Sequence, residues 1–331
     1  MAARGEGAFR VTPPTVAGVS KRDHGGGLDA AVAHYGGTRA DWLDLSTGIN
    51  PVPYPVGEMS ADAWTALPDQ GAMDRLLAAA RAFWNVPDGA QIVAANGASA
   101  LIAQMPRLAD ETDDSVYIPG PTYNEHAAAF RAAGFHIMER PEDEERVQVF
   151  VHPNNPTGAI KPIEAVTSRR LNIIDESFCD VMPDESHVKS AAQDGVIVLK
   201  SFGKFWGLAG ARLGFAICAP DAAQVLRDGL GPWAVSGPAL EIGAQALEDV
   251  AWADATRTRL AADAARLDQM VGWELVGGTD LFRTYAVPDA AAMQDKLAQG
   301  HVWSRIFPYS KTWIRLGLPA PDAWAQLEAA L

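Results

Sequence analysis

The chain has 331 residues, and 27 Lys plus Arg against 41 Asp plus Glu leave a formal net charge of −14. Such acidity argues against a nucleic-acid binder, whose affinity comes from neutralising phosphates, and against a protein held on an anionic membrane. Hydrophobic residues make up 48 % and only 2 cysteines occur, Cys179 and Cys218, so a globular protein without a disulfide framework is expected, in a reducing cytoplasmic compartment.

The first 50 residues are rich in Gly and Pro, carry one short helix pattern from Leu28 to Tyr35, and read as an N-terminal arm. Arg4, Glu6, Arg10, Lys21 and Arg22 leave no apolar run between them, so no signal peptide is expected. No uncharged apolar run approaches the ~18 to 20 residues that span a bilayer; Gly207 to Pro220 is broken by Arg212. Met73, Leu76, Leu77, Ala80, Phe83 and Trp84 then recur at helical spacing. Short apolar runs follow at Ile92–Ala94, Val116–Ile118, Val147–Val151, Asn172–Ile174, Val196–Leu199 and Leu213–Ile217. They suit strands buried on both faces. Helix-like stretches lie between them, at Ser99–Leu108 and at Asn124–Ala133 with Gly134 as its stop, and the acidic run Glu139–Glu145 reads as a solvated loop. This alternation predicts an α/β large domain over residues 51–222 with a mostly parallel sheet. Residues 223–331 predict a smaller α+β domain. Pro238–Met270 there reads as one long or two consecutive helices, and Leu281–Val287, Val302–Phe307 and Trp313–Leu316 as short strands.

Three segments carry chemistry. Ser201-Phe202-Gly203-Lys204, running on to Gly210-Ala211-Arg212-Leu213-Gly214, follows a buried strand. A lysine leaving such a strand is partly desolvated, which lowers its pKa and makes the amine a nucleophile toward a carbonyl. The nearby hydroxyl of Ser201 and guanidinium of Arg212 suit a phosphate. His152-Pro153-Asn154-Asn155-Pro156-Thr157-Gly158 follows the strand Val147–Val151; alone it is a turn signal. Ile173-Ile174-Asp175-Glu176 ends a strand in carboxylates, where open α/β sheets bind ligands or where a helix is capped.

In this order and spacing the segments resemble the fold-type I pyridoxal-phosphate enzymes along nearly the whole chain. The resemblance implies that Lys204 forms the Schiff base with pyridoxal 5′-phosphate, and that Asp175 pairs with the protonated pyridine nitrogen. Asn155 would hydrogen-bond the ring's phenolic oxygen, and Tyr123, in Gly120-Pro121-Thr122-Tyr123, would stack on the ring. Ser201, Arg212 and the backbone of Gly97, Ala98 and Ser99 would hold the cofactor phosphate. No metal is called for.

The chain ends narrow the resemblance. Asp23-His24-Gly25-Gly26-Gly27 and Trp42-Leu43-Asp44-Leu45-Ser46-Thr47-Gly48-Ile49-Asn50-Pro51 look like the threonine-phosphate decarboxylases of cobalamin biosynthesis, relatives of the histidinol-phosphate aminotransferases. Phe178 agrees, because many aminotransferases place a tyrosine there. The resemblance makes His24, Gly25, Asn155, Arg305 and Arg315 substrate ligands, guanidiniums being suited to carboxylate and phosphate. It implies a homodimer, although Leu67-Pro68-Asp69 stands where many relatives carry a tyrosine that reaches the neighbouring subunit. The expected reaction is decarboxylation of O-phospho-L-threonine to 1-amino-2-propanol phosphate. The alternatives are transamination, as in histidinol-phosphate aminotransferase, and decarboxylation of O-phosphoserine, one methyl smaller. A non-catalytic DNA-binding regulator on this fold is disfavoured by the acidity.

Overall fold

A computed structural model describes residues 24–141 and 146–331. Residues 1–23 of the expected arm, Asp23 among them, and part of the acidic run Glu139–Glu145 therefore lie outside the described residues. In chain order the elements begin with α1 (Leu28–Tyr35), β1 (Leu43–Asp44), α2 (Ala61–Thr65), α3 (Gln70–Phe83), β2 (Gln91–Ala95), α4 (Ala98–Ile102), β3 (Ser115–Tyr117), α5 (Asn124–Ala132) and β4 (His136–Met138). They continue with β5 (Val147–Val151), α6 (Ile163–Val166), β6 (Leu171–Asp175), β7 (Val196–Ser201), β8 (Gly214–Cys218), α7 (Pro220–Leu230), α8 (Gly237–Glu248) and α9 (Val250–Val271). The last are β9 (Glu274–Thr279), β10 (Phe282–Ala286), α10 (Ala290–Gln299), β11 (Val302–Trp303), β12 (Arg305–Phe307), β13 (Ser310–Gly317) and α11 (Trp324–Ala330).

Seven strands form the main sheet in the order β2-β8-β7-β6-β5-β3-β4. Pairing is parallel except around β8, which runs antiparallel to both β2 and β7. Every residue of β5, β6 and β8 is buried, as expected for strands covered on both faces. The strand β4 escapes the sequence pattern because it is a short, half-exposed edge strand.

The helix expected over Ser99–Leu108 is broken in the structure. It is α4 followed by a separate 3-10 turn, Met105–Leu108. Pro106 explains the break, since it has no N–H to donate and its ring disturbs the preceding turn. The stretch Pro238–Met270 resolves into α8 and α9, with the Asp249 carboxylate capping the second at Trp252 N. At the Leu67-Pro68-Asp69 stretch, Asp69 accepts from Ala72 N and starts α3.

A second, antiparallel sheet has the order β12-β13-β10-β9, while the expected strand Val302–Phe307 is two strands in different sheets. Its first half, β11, pairs with β1 through Leu43↔Val302 and Asp44↔Trp303. The two larger sheets meet beside Asn155, where backbone lies on backbone. A Cβ on Gly158 would sit 2.0 Å from the Gly278 carbonyl oxygen, and one on Gly277 would sit 2.1 Å from that of Thr157. The Thr284 hydroxyl donates to the Pro156 carbonyl at 2.6 Å along the same seam.

Candidate active site

The strand ends of β5, β6 and β7 open onto two adjoining cavities. The smaller, about 200 Å³, is lined by Gly97, Ala98, Ser99, Asp175, Ser201 and Arg212 among others. The larger, about 350 Å³, is lined by His24, Gly25, Ile49, Arg305, Tyr309 and Arg315 among others. Lys204, Tyr123 and Asn155 line both. Every residue expected from the sequence to touch cofactor or substrate thus borders one cavity or the other.

Lys204 sits in the loop after β7, its Nζ 5.4 Å from the centre of the Phe178 ring. Burial first, then the positive charges of Arg315 and Arg212, push its pKa down to about 8, against the opposing pull of Asp175. Asp175 ends β6 and is 1 % exposed. Burial works to raise its pKa, but the His126 ring at 2.8 Å and hydrogen bonds from the Ser177 hydroxyl and N–H outweigh it and hold the carboxyl below its ordinary value. Asp175 is therefore an anion facing the smaller cavity.

His126 was not legible as a site residue. It lies in the first turn of α5, fully buried, and only the assembled sheet brings it to Asp175. Its other ring nitrogen, Nδ1, has no partner among the described residues. Tyr123 precedes α5 and hydrogen-bonds with Ser99; burial, Asp175 and Glu125 push its phenol up to about 12, so it is uncharged.

The phosphate-sized end of the smaller cavity is shaped by a close approach. Gly97 has φ +84, and a Cβ there would lie 2.6 Å from Arg212 Nη2, so glycine alone leaves room for the guanidinium. Arg212 itself has φ 51 and donates through Nη1 to the Ala209 carbonyl at 3.1 Å. The N–H groups of Ala98 and Ser99 at the start of α4, the Ser201 hydroxyl and this guanidinium face one space, which is the donor set a phosphate needs; the Gly97 N–H, expected to join them, is instead taken by the Ala95 carbonyl at 2.7 Å, and Gly97 contributes only room.

Antiparallel pairing of β12 and β13 sets Arg305 directly across from Arg315. Like charges so placed repel, and a bound anion relieves the repulsion. Arg315 is 4 % exposed; burial and Arg305 lower its pKa to about 10, which leaves it charged near neutrality. It donates to Asn155 Oδ1 and the Ser46 carbonyl, and its Nε is buried with no partner among the described residues. Because Arg315 takes Oδ1, the Asn155 amide is left with Nδ2 as a donor toward the shared space.

The segment around His24 closes one side of the larger cavity. Arg305 donates to the His24 carbonyl, and the His24 ring lies 3.1 Å from Glu125. Of the glycine N–H groups ahead of α1, that of Gly26 is taken by Ser46 Oγ at 2.6 Å. Gly25 has no space for a side chain, since a Cβ would meet the Ser46 carbonyl oxygen at 2.4 Å. Among the described residues no cluster of His, Cys, Asp and Glu has the geometry of a metal site.

Comparison with known proteins gives a consistent result. The profile of the family "Aminotransferase class I and II" matches residues 58–330. A threonine-phosphate decarboxylase of Sinorhizobium sp. is 42 % identical over 318 residues, covering 91 % of this chain and 94 % of the relative. That of Pseudomonas aeruginosa is 39 % identical over 328 residues, covering 93 % and 97 %. The solved histidinol-phosphate aminotransferase of Sinorhizobium meliloti, in complex with pyridoxal-5′-phosphate, superposes with a TM-score of 0.78 at 18 % identity, over 98 % of this chain and 97 % of that one.

Proposed function

The chain belongs to the class I and II aminotransferase family, and from that membership we propose that it is a pyridoxal 5′-phosphate-dependent decarboxylase of O-phospho-L-threonine, releasing CO2 and 1-amino-2-propanol phosphate. The substrate is drawn from the two relatives near 40 % identity that are named for it. The observation that carries the reading is the opposed pair Arg305 and Arg315 beside the Lys204 amine, a place for an amino acid that bears two anions. The small cavity fits the cofactor: a phosphate donor set at one end, an amine with lowered pKa, and a buried carboxylate anion.

When bound, pyridoxal phosphate supplies an electron sink for the pair left behind when a bond to the substrate's α-carbon breaks. The protein's own groups do the rest. Arg212, Ser201 and the N–H groups of Ala98 and Ser99 would hold the cofactor phosphate, with Gly97 leaving room for it. Asp175, kept anionic by His126, retains a proton at the pyridine nitrogen. Asn155 donates through Nδ2, and the uncharged Tyr123 covers the ring. Arg305, Arg315, His24 and Gly25 hold the substrate's phosphate and carboxylate, which decides the α-carbon bond that is presented. Lys204 is the amine that bonds the cofactor and returns a proton to the α-carbon after CO2 leaves. Phe178, with no hydroxyl, supports this reading over transamination.

The test mixes the protein, loaded with cofactor, with O-phospho-L-threonine and no keto acid. Stoichiometric CO2 with 1-amino-2-propanol phosphate is expected. Keto-acid-dependent amino transfer from histidinol phosphate, or to its keto partner, without CO2, overturns the reading. Turnover of O-phosphoserine in parallel measures what the extra methyl is worth, about 1 to 3 kcal/mol in a fitted pocket.

The working unit is proposed to be a homodimer. Trp64 and Leu67 are 70 % and 68 % exposed on the single chain, and Trp233 is 59 % exposed. Gly237 at the start of α8 lies against Ala63, so these apolar groups come from neighbouring elements. Light scattering at micromolar concentration checks the dimer. The cytoplasm is the proposed compartment, on two buried free cysteines; among the described residues no helix is long and apolar enough to cross a membrane.

A further inference from the structure

Residues 49–54 run alongside the loop that carries Lys204, and one buried side chain joins the two. Asn50 is 2 % exposed. Its backbone N–H donates to the Lys204 carbonyl at 3.0 Å, and its Nδ2 donates to the Phe205 carbonyl at 2.8 Å. Its Oδ1 accepts from Val52 N–H at 3.0 Å and from Arg259 Nη2, on α9, at 2.7 Å. Tyr54 N–H then takes the Trp206 carbonyl at 2.9 Å. Three consecutive carbonyls, of residues 204, 205 and 206, are thereby held by one segment. The fit is close enough that a Cβ on Gly207 would lie 2.6 Å from Pro53 Cα.

A lysine side chain is a long flexible stem, so its amine has a defined place only where the main chain beneath it is fixed. Nothing in the reaction needs Asn50 near the substrate, and its polar atoms are spent on the loop and on Arg259. We propose that Asn50 is a positioning residue for Lys204: its side chain, held from behind by Arg259, fixes the Phe205 carbonyl next to the lysine and so keeps the amine in the enclosed corner between the two cavities. This rests on Lys204 being the amine that bonds the cofactor.

A residue that merely stabilises the fold would leave the titration of Lys204 untouched. The test therefore uses full-length Asn50→Ala and Arg259→Ala. Cofactor-free proteins are pulsed with acetic anhydride across a pH range, and the Lys204 peptide is quantified by mass spectrometry. The wild type is expected to titrate at about 8. Asn50→Ala is expected to move the midpoint up by about one unit toward the ~10.4 of a free lysine, and Arg259→Ala by less in the same direction. The pH at which the visible band of the loaded protein changes should move in step. Wild-type midpoints in both variants, with only the melting temperature lowered, overturn the proposal. Should Asn50→Ala fail to fold, Arg259→Ala decides by the same two outcomes. Borohydride reduction of the loaded wild type tests the underlying reading separately: cofactor trapped on a lysine other than Lys204 refutes that reading, whatever the labelling shows.

Discussion

Lys204 owes its proposed reactivity to its neighbours. A lysine in water is almost fully protonated at pH 8, whereas here burial, Arg315 and Arg212 bring the midpoint to about 8. Capture of pyridoxal phosphate by the cofactor-free protein should thus speed up as pH rises and level off above about 8. Arg315→Met removes a positive neighbour, favours the ammonium, and should move that midpoint upward; stopped-flow absorbance at several pH values measures both. Lys204→Ala should abolish the visible band altogether. His126 acts one residue further out. Replacing it with Phe removes a charge-assisted hydrogen bond of about 1.5 to 3 kcal/mol from Asp175. Turnover should fall roughly 10- to 100-fold, and the loaded protein's spectrum should titrate at a different pH. Lys204, Asp175, Asn155 and Arg212 are legible in the sequence because each lies at or beside a recognisable strand end, Arg212 just ahead of β8. The sequence hides His126 and Asn50, whose partners lie 49 and 155 residues away and are supplied only by folding.

At the scale of elements, the strands most legible in the sequence are those buried on both faces, where most positions are apolar and the few polar ones, such as Gln148 and Asn172, bond each other. Val147–Val151 matches β5 in full. Edge strands β4 and β9 are half-exposed, so their residues follow no such pattern. The run Val302–Phe307 looked continuous, yet Ser304 separates β11 from β12 and sends them to different sheets. That division matters chemically, because β12 is then free to pair with β13 and set Arg305 across from Arg315. Arg305→Leu should relieve repulsion in the empty protein while weakening anion binding. Its melting temperature should hold or rise, and KM for the phosphoamino acid should increase by about tenfold or more.

For the whole molecule, the charge of −14 and the arginine-lined cavity pull in opposite directions on an incoming anion. At ~0.01 M salt the screening length is about 30 Å, so the substrate feels the acidic surface. At ~0.15 M it shrinks to about 8 Å, and only the local guanidiniums remain in range. The second-order rate of substrate capture should therefore be higher at the larger ionic strength, the reverse of a basic enzyme on the same ligand. A seam of glycines joins the two larger sheets. Gly158, Gly277 and Gly278 bring main chains so near that neither sheet has room to slide along the other there. A side chain at any of the three would wedge the sheets apart beside Asn155, so alanine there should loosen the contact between Arg315 and Asn155.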